Sequence, residues 1–212
     1  MSMLRNIVLM MPKSKTLTVY PDANPETVSV DGRISNSSAA SWAACRDALD
    51  GNDVSDAITA IILRTRLLTG TYQAERGFLL FDTSVLGASV TISAAVLSLA
   101  ANAESVIDDN SDSIHIVSST PASNTGLALA DFDQVGSVSF ASKTLAAWND
   151  GAGVYNDFSL NASGIANINK TGVSKFAVRL GTDLNNIAPT GLNYFGFRAA
   201  ESASAPKLVI TY

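Results

Sequence analysis

Alternation of apolar and polar residues, broken by turn residues, is the dominant pattern along the chain. Residues 15–20 (KTLTVY) alternate and stop at Pro21-Asp22, a turn signal. Residues 27–30 add a candidate short strand before Asp31-Gly32, and strands resume at 57–68 (AITAIILRTRLL) and 76–82 (RGFLLFD). In 91–99 (TISAAVLSL), Ile92, Ala94, Val96 and Ser98 share one face while Ala95, Leu97 and Leu99 share the other. Apolar residues on both faces predict a central strand covered, at least in part, on both sides. Further strands are predicted at 113–119, 138–140, 155–160, 175–180, 194–199 and 207–212, the last with Leu208, Ile210 and Tyr212 on one face.

Helical signals are sparse. Residues 38–50, with Ala39, Ala40, Trp42, Ala43, Ala44, Ala48 and Leu49 ahead of Asp50-Gly51, predict one short helix or an ordered loop. Ile165 and Ile168 have helical spacing and predict a second short helix across one end of the fold, and residues 124–133 predict a helical turn. Such pieces are too short for βαβ crossovers, which argues against a parallel α/β fold. Some nine or ten strands at this spacing predict an all-β fold, an antiparallel jelly-roll β-sandwich with one or two short helices. No repeat or linker divides the chain. The expected organisation is an N-terminal arm over 1–15, then one sandwich over 16–212 with an insertion around 35–56.

Composition narrows the function classes. Only 16% of residues are charged, against about 25% in ordinary soluble domains. A neutral polar surface suits close packing against neighbours better than long-range charge steering. The net charge of −5, with no run of Lys or Arg, argues against nucleic acid as a partner. No stretch reaches the roughly 18 unbroken apolar residues of a membrane helix, so no membrane partner is expected. The apolar run Ile7, Val8, Leu9, Met10, Met11 is short and is followed by Pro12-Lys13 rather than a cleavage site, so no signal peptide is expected. With Cys45 alone, no intrachain disulfide forms and a buried structural thiol is expected.

Candidate chemistry is thin. His115 is the single histidine; with Ile114 and Ile116 beside it, it reads as a surface or inter-strand residue rather than a catalytic base. His115 and Cys45 together are too few for a zinc site, and the glycines sit singly at turns rather than in a phosphate-cradling loop. Asp108, Asp109 and Asp112 form one acidic group, and Asp131 with Asp133 another. Both are expected in solvated loops with ordinary carboxylates, which argues against a glycosidase pair. The run 108–112 lacks the spacing and glycine of an EF-hand and reads as a plain turn rather than a calcium loop. No enzymatic activity, metal or cofactor is expected. Trp148, Tyr155 and Trp42, in or near predicted loops, are candidate sugar-stacking residues; the competing reading has the tryptophans plugging the ends of the sandwich.

Three segments in order resemble a known family. Residues 76–84 (RGFLLFDTS) with 90–99 (VTISAAVLSL), then 155–161 (YNDFSLN), then 201–212 (ESASAPKLVITY) resemble the DNRLRE-type jelly-roll module, over about 76–212. The closing segment, where a polar loop and Pro206 lead into a last strand, is the most specific. The N-terminal part, including residues 20–27 (YPDANPET), is similar to uncharacterised proteins of bacteriophage and environmental viral sequences. The family resemblance implies a jelly roll used for carbohydrate binding or adhesion in secreted bacterial proteins. The expected lack of an export signal departs from that setting and fits a virion protein assembled in the host cytoplasm.

The expectation is therefore a non-enzymatic virion structural protein, a capsid-decorating or tail-appendage jelly roll. Its partners would be other virion proteins and copies of itself, with Ile7, Val8, Leu9, Met10 and Met11 of the arm and the 35–56 insertion as contacts. The alternative is a carbohydrate-binding module that recognises surface glycans through the three aromatics.

Overall fold

A computed structural model describes residues 14–212, apart from the side chains of residues 104 and 105. The expected fold class is what forms: an all-β jelly-roll sandwich, with twelve strands and three short α-helices among the described residues. One sheet, sheet A, is built from β1 (Thr16–Val19), β12 (Lys207–Thr211), the first part of β6 (Ala94–Asp108) and β9 (Tyr155–Ser159), all antiparallel. The larger sheet B holds β2 (Asp31–Ala39), β3 (Asp53–Ser55), β4 (Ala60–Leu68), β5 (Thr71–Asp82), β7 (Ser113–Ser118), β8 (Ala141–Thr144), β10 (Val173–Leu180) and β11 (Leu192–Arg198). β6 crosses from one sheet to the other. Its residues 94–100 bond to β12 and β9, whereas 101–108 bond to β11.

The main core lies between the sheets. Leu97, Leu99, Phe158, Leu208 and Ile210 from sheet A meet Ile61, Leu63, Phe81, Phe176, Phe195 and Phe197 from sheet B. A second, smaller core covers the other face of sheet B, where Val30, Ile34, Trp42, Cys45, Phe78, Leu80 and Phe132 gather. This explains why residues 78–81 read as an unbroken apolar run. Leu79 and Phe81 enter the first core, Phe78 and Leu80 the second, so both faces of β5 are covered.

Four local features depart from the pattern-based expectation. Residues 27–30 form a turn rather than a strand, because the Asp22 carboxylate accepts hydrogen bonds from the amides of Thr27 (3.1 Å) and Val28 (2.7 Å). Residues 104–108, including Asp108 expected in a solvated loop, continue β6, with Asp108 and Ile107 paired with Asn193 and Tyr194 of β11; ladder pairing overrides the weak strand propensity of the acidic residues. The strand expected at 138–140 forms three residues later, as β8 against β7. Residues 35–56, read as an insertion, are tied into sheet B. The second half of β2 pairs with β5, β3 pairs with β2, and helix α1 (Trp42–Arg46) covers the second core. The β4–β5 hairpin closes through Thr69 (φ 48°) and Gly70 (φ 82°), the pair of left-handed residues that a tight two-residue connection needs.

The expected helices are α1 and α2 (Ala162–Ala166), capped by Ser41 and Asn161 side chains that accept the amides of Ala44 and Gly164. A third, α3 (Gly181–Leu184), had no sequence signal. Among the described residues no helix is long and apolar enough to cross a membrane. The arm residues Ile7, Val8, Leu9, Met10 and Met11 lie outside the described residues.

Candidate functional site

The three aromatics expected to stack on sugars do not form an exposed platform. Trp148 follows a 3-10 turn over Leu145–Ala147 into the main core, where it is 6% exposed and meets Phe195 edge-on at 5.2 Å. Trp42 opens α1 and is buried in the second core against Tyr72, 5.9 Å between ring centres. Tyr155 lies on β9, half-buried; Lys207 Nζ sits 3.9 Å from its ring centre and its hydroxyl donates to the Ala205 carbonyl. Trp148 and Trp42 are therefore buried side chains rather than exposed stacking faces, Trp148 in the main core and Trp42 in the second, while Tyr155 remains half-buried on its strand. We expect Trp148→Ala to cost about 3 kcal/mol of stability through the cavity it opens. A urea titration checks this; an unchanged midpoint would show that the ring is not core.

The acidic loops are structural. Asp112 is buried, not solvated as expected. Its Oδ1 accepts from the amides of Ser113 and Thr182 and its Oδ2 from the Thr182 hydroxyl, while burial raises its pKa. Asp109 Oδ2 accepts the Leu192 amide and Asp108 Oδ1 the Asp112 amide, which closes the β6–β7 turn. Asp131 is also buried, holding the amides of Ala122 and Ala128. The expected solvated carboxylates are thus turn-forming acceptors at Asp112 and Asp131.

His115 bridges two hydroxyls, Ser113 Oγ at 2.8 Å from Nε2 and Ser139 Oγ at 2.9 Å from Nδ1. Burial lowers its pKa, against the opposing effect of Asp112. The position where a catalytic triad places a carboxylate holds a neutral hydroxyl, which offers an imidazolium no counter-charge. Cys45 is wholly buried as expected, its thiol pushed up to about 11 by burial and by the nearby Asp183.

Two clusters of ionisable groups were not anticipated from the sequence. In the first, Asp183 of α3 receives two guanidinium forks. Arg76 donates Nε and Nη2 at 2.9 and 2.8 Å, and Arg179 donates Nε and Nη2 at 2.7 and 2.8 Å. Further donors are used as well: Arg76 Nη1 on the Phe132 carbonyl, Arg76 Nη2 on the Arg46 carbonyl, and Arg179 Nη1 on the Gly136 carbonyl. The Arg76 guanidinium also lies 4.1 Å from the centre of the Phe132 ring. Burial alone would raise the Asp183 carboxyl, but Arg76 and Arg179 more than offset it and hold it well below the usual carboxylate range. A cavity of about 220 Å³ opens beside this cluster, lined by Arg46, Asp133 and Ser137 among others. Through its hydrogen bonds the cluster joins α1, α3 and the 132–136 loop.

The second cluster is at the start of β2. Asp31 is wholly buried, and its Oδ2 accepts the Ala200 amide at 3.0 Å. Its carboxyl is pushed up to about 8, by burial first and then by Glu201 and Glu26. Glu201 Oε1 accepts the Asn24 amide and Glu26 Oε2 the Asn24 side-chain amide. The other oxygen of each carboxyl, Asp31 Oδ1, Glu201 Oε2 and Glu26 Oε1, is buried without a partner, as is Ser29 Oγ. Among the described residues, no group of three or more His, Cys, Asp or Glu side chains is placed to hold a metal ion.

Comparison of the chain with protein-family models and with curated proteins returns no match.

Proposed function

We propose that the chain is a structural protein of a virion, a capsid-decorating or tail-appendage sandwich that packs against copies of itself and other virion proteins. The observation that carries this reading is the open edge of sheet A. Among the described residues β1 bonds to β12 alone, so its outer edge offers unpaired backbone donors and acceptors. Just ahead of β1 the sequence places Ile7, Val8, Leu9, Met10 and Met11. An apolar segment a few positions before a strand with an open edge suits association by strand addition, in which backbone hydrogen bonds supply affinity and side chains supply fit. The low charge content lets neutral faces close without desolvating ions. The virion setting rests on the likeness of the N-terminal part to bacteriophage and environmental viral sequences.

Deleting residues 1–12 is expected to leave a folded protein that no longer assembles, since every core residue described lies beyond the deletion. Circular dichroism checks the fold and sedimentation the assembly. A shortened chain that assembles like the intact one would refute the role of the arm. The alternative reading as a carbohydrate-binding module finds no stacking surface in Trp42 and Trp148, and only a Lys207-covered ring in Tyr155.

A further inference from the structure

We propose that Arg46, Arg76 and Arg179 bind a tetrahedral oxyanion, a phosphate group, in the cavity of about 220 Å³ that they line with Ser137. Asp183 gathers the three guanidinium groups. Arg76 and Arg179 grip its carboxylate at 2.7–2.9 Å, and Arg46 Nε bonds its carbonyl at 2.7 Å. A guanidinium carries five N–H donors. Arg76 and Arg179 each place four on protein acceptors and keep one on Nη1. Arg46 gives one to the Asp183 carbonyl and one to Asp47, and keeps three. Ser137, exposed on the cavity wall, has no side-chain hydrogen bond among the described residues.

Charge calls for an anion. Arg76 and Arg179 are each 3% exposed and share a single carboxylate, so one buried positive charge lacks a counter-ion. Such a charge is costly to bury. The Arg46, Phe132 and Gly136 carbonyls accept hydrogen bonds but cancel no charge. Glu75 is also shared by two arginines, yet the Arg33 and Arg64 side chains are 22% and 26% exposed and Arg33 has Asp53 as well. Water and a second carboxylate complete that pair. Asp47 and Asp133 line the cavity too, both exposed, Asp47 on Arg46 and Asp133 on Gln134. Surface ion pairs are worth little, so an incoming anion displaces Asp47 from Arg46. Arginine forks match phosphate oxygens, and free donors from three separate groups suit a tetrahedral anion better than a planar carboxylate. The cavity is smaller than the roughly 300–1,000 Å³ of a drug-sized ligand's pocket, which suits a single phosphate group.

The test titrates the full chain with sodium phosphate at neutral pH, by calorimetry and by melting, against sodium chloride and sodium acetate at matched ionic strength. One phosphate per chain is expected, with a rise in Tm of about 3–6 °C at phosphate tenfold above Kd, and acetate at least about tenfold weaker. Phosphate also stabilises proteins by exclusion from their surface, so the variants carry the decision. Arg46→Gln and, separately, Ser137→Asp should each weaken phosphate binding at least about tenfold. Ser137→Asp sets a negative charge on the cavity wall without touching the Asp183 bonds, which keeps the test decisive if Arg46→Gln disturbs α1. Glycerol phosphate separates the sources of the group: equal binding supports a phosphate ester as ligand, and its loss supports the free ion. Absence of heat with phosphate at high millimolar concentration would overturn the site. So would binding that both variants retain, or acetate that binds as tightly as phosphate. None of these results depends on assembly, so failure here is distinct from failure of the virion reading.

Discussion

Removing residues 208–212 is expected to leave a chain that does not fold. β12 lies between β1 and β6, with Leu208 and Ile210 wholly buried and its backbone bonded on both edges. β1 pairs with β12 alone, and Tyr212 exchanges both backbone hydrogen bonds with Lys15, so β1 loses its place as well. Leu17 and Val19 of β1, packed against the main core, would be uncovered. Burial of each large aliphatic side chain is worth about 1.5–3 kcal/mol, so four of them approach the roughly 5–15 kcal/mol that holds a whole domain together. The deletion also opens an edge of β6 to aggregation. Solubility and far-ultraviolet circular dichroism check the outcome; a soluble truncated protein with an unchanged β spectrum would refute it.

Asp183→Ala is the most damaging single substitution we expect. It strands the guanidinium groups of Arg76 and Arg179, both nearly fully buried, without a counter-charge. Breaking one buried ion pair costs about 3–5 kcal/mol, and here one carboxylate serves two arginines, so the upper end of that range applies. The loss extends beyond the pair, because Arg76, once its counter-charge is gone, is also the group that holds the Arg46 and Phe132 carbonyls. The effect depends on pH with a definite sign. The Asp183 carboxyl is held below its ordinary value in the folded protein. Its contribution is therefore complete above the unfolded value of about 3.9 and is lost as pH falls toward the folded one. The stability gap between native protein and variant should be widest near neutrality and shrink in acid below about pH 4. Urea midpoints at neutral and acid pH measure both; a gap that widens in acid would contradict this account of the cluster.

Much of the sheet was legible in the sequence because a half-buried strand writes its own pattern. Leu208 and Ile210 alternate with half-buried Lys207, Val209 and Thr211, as the two faces of β12 require. The two-sided run 91–99 announced a central strand, and β6 does lie between β12 and β9 with Ala95, Leu97 and Leu99 buried. The separate core around Trp42 and Phe132 that covers the other face of residues 78–81 was not announced. What escaped depends on approach through space. Nothing local marks Asp183 as the partner of Arg76, more than a hundred positions earlier, or brings Glu201 to Asp31. The tryptophans misled for a related reason. Trp148-Asn149-Asp150-Gly151 has the composition of a loop tip, yet Asn156 takes the Asn149 amide and returns its own to the Asn149 carbonyl. That clamp turns the loop back on itself beside an indole already packed on Phe195.

The central claim is that this sandwich works by packing against like subunits through its N-terminal arm and the adjoining edge of β1. Size-exclusion chromatography with light scattering, run at several concentrations on the intact chain and on one lacking residues 1–12, tests it most directly. The account predicts that the intact chain forms an oligomer whose mass rises with concentration and that the shortened chain elutes as a folded monomer. An intact chain that remains strictly monomeric at every concentration would contradict it.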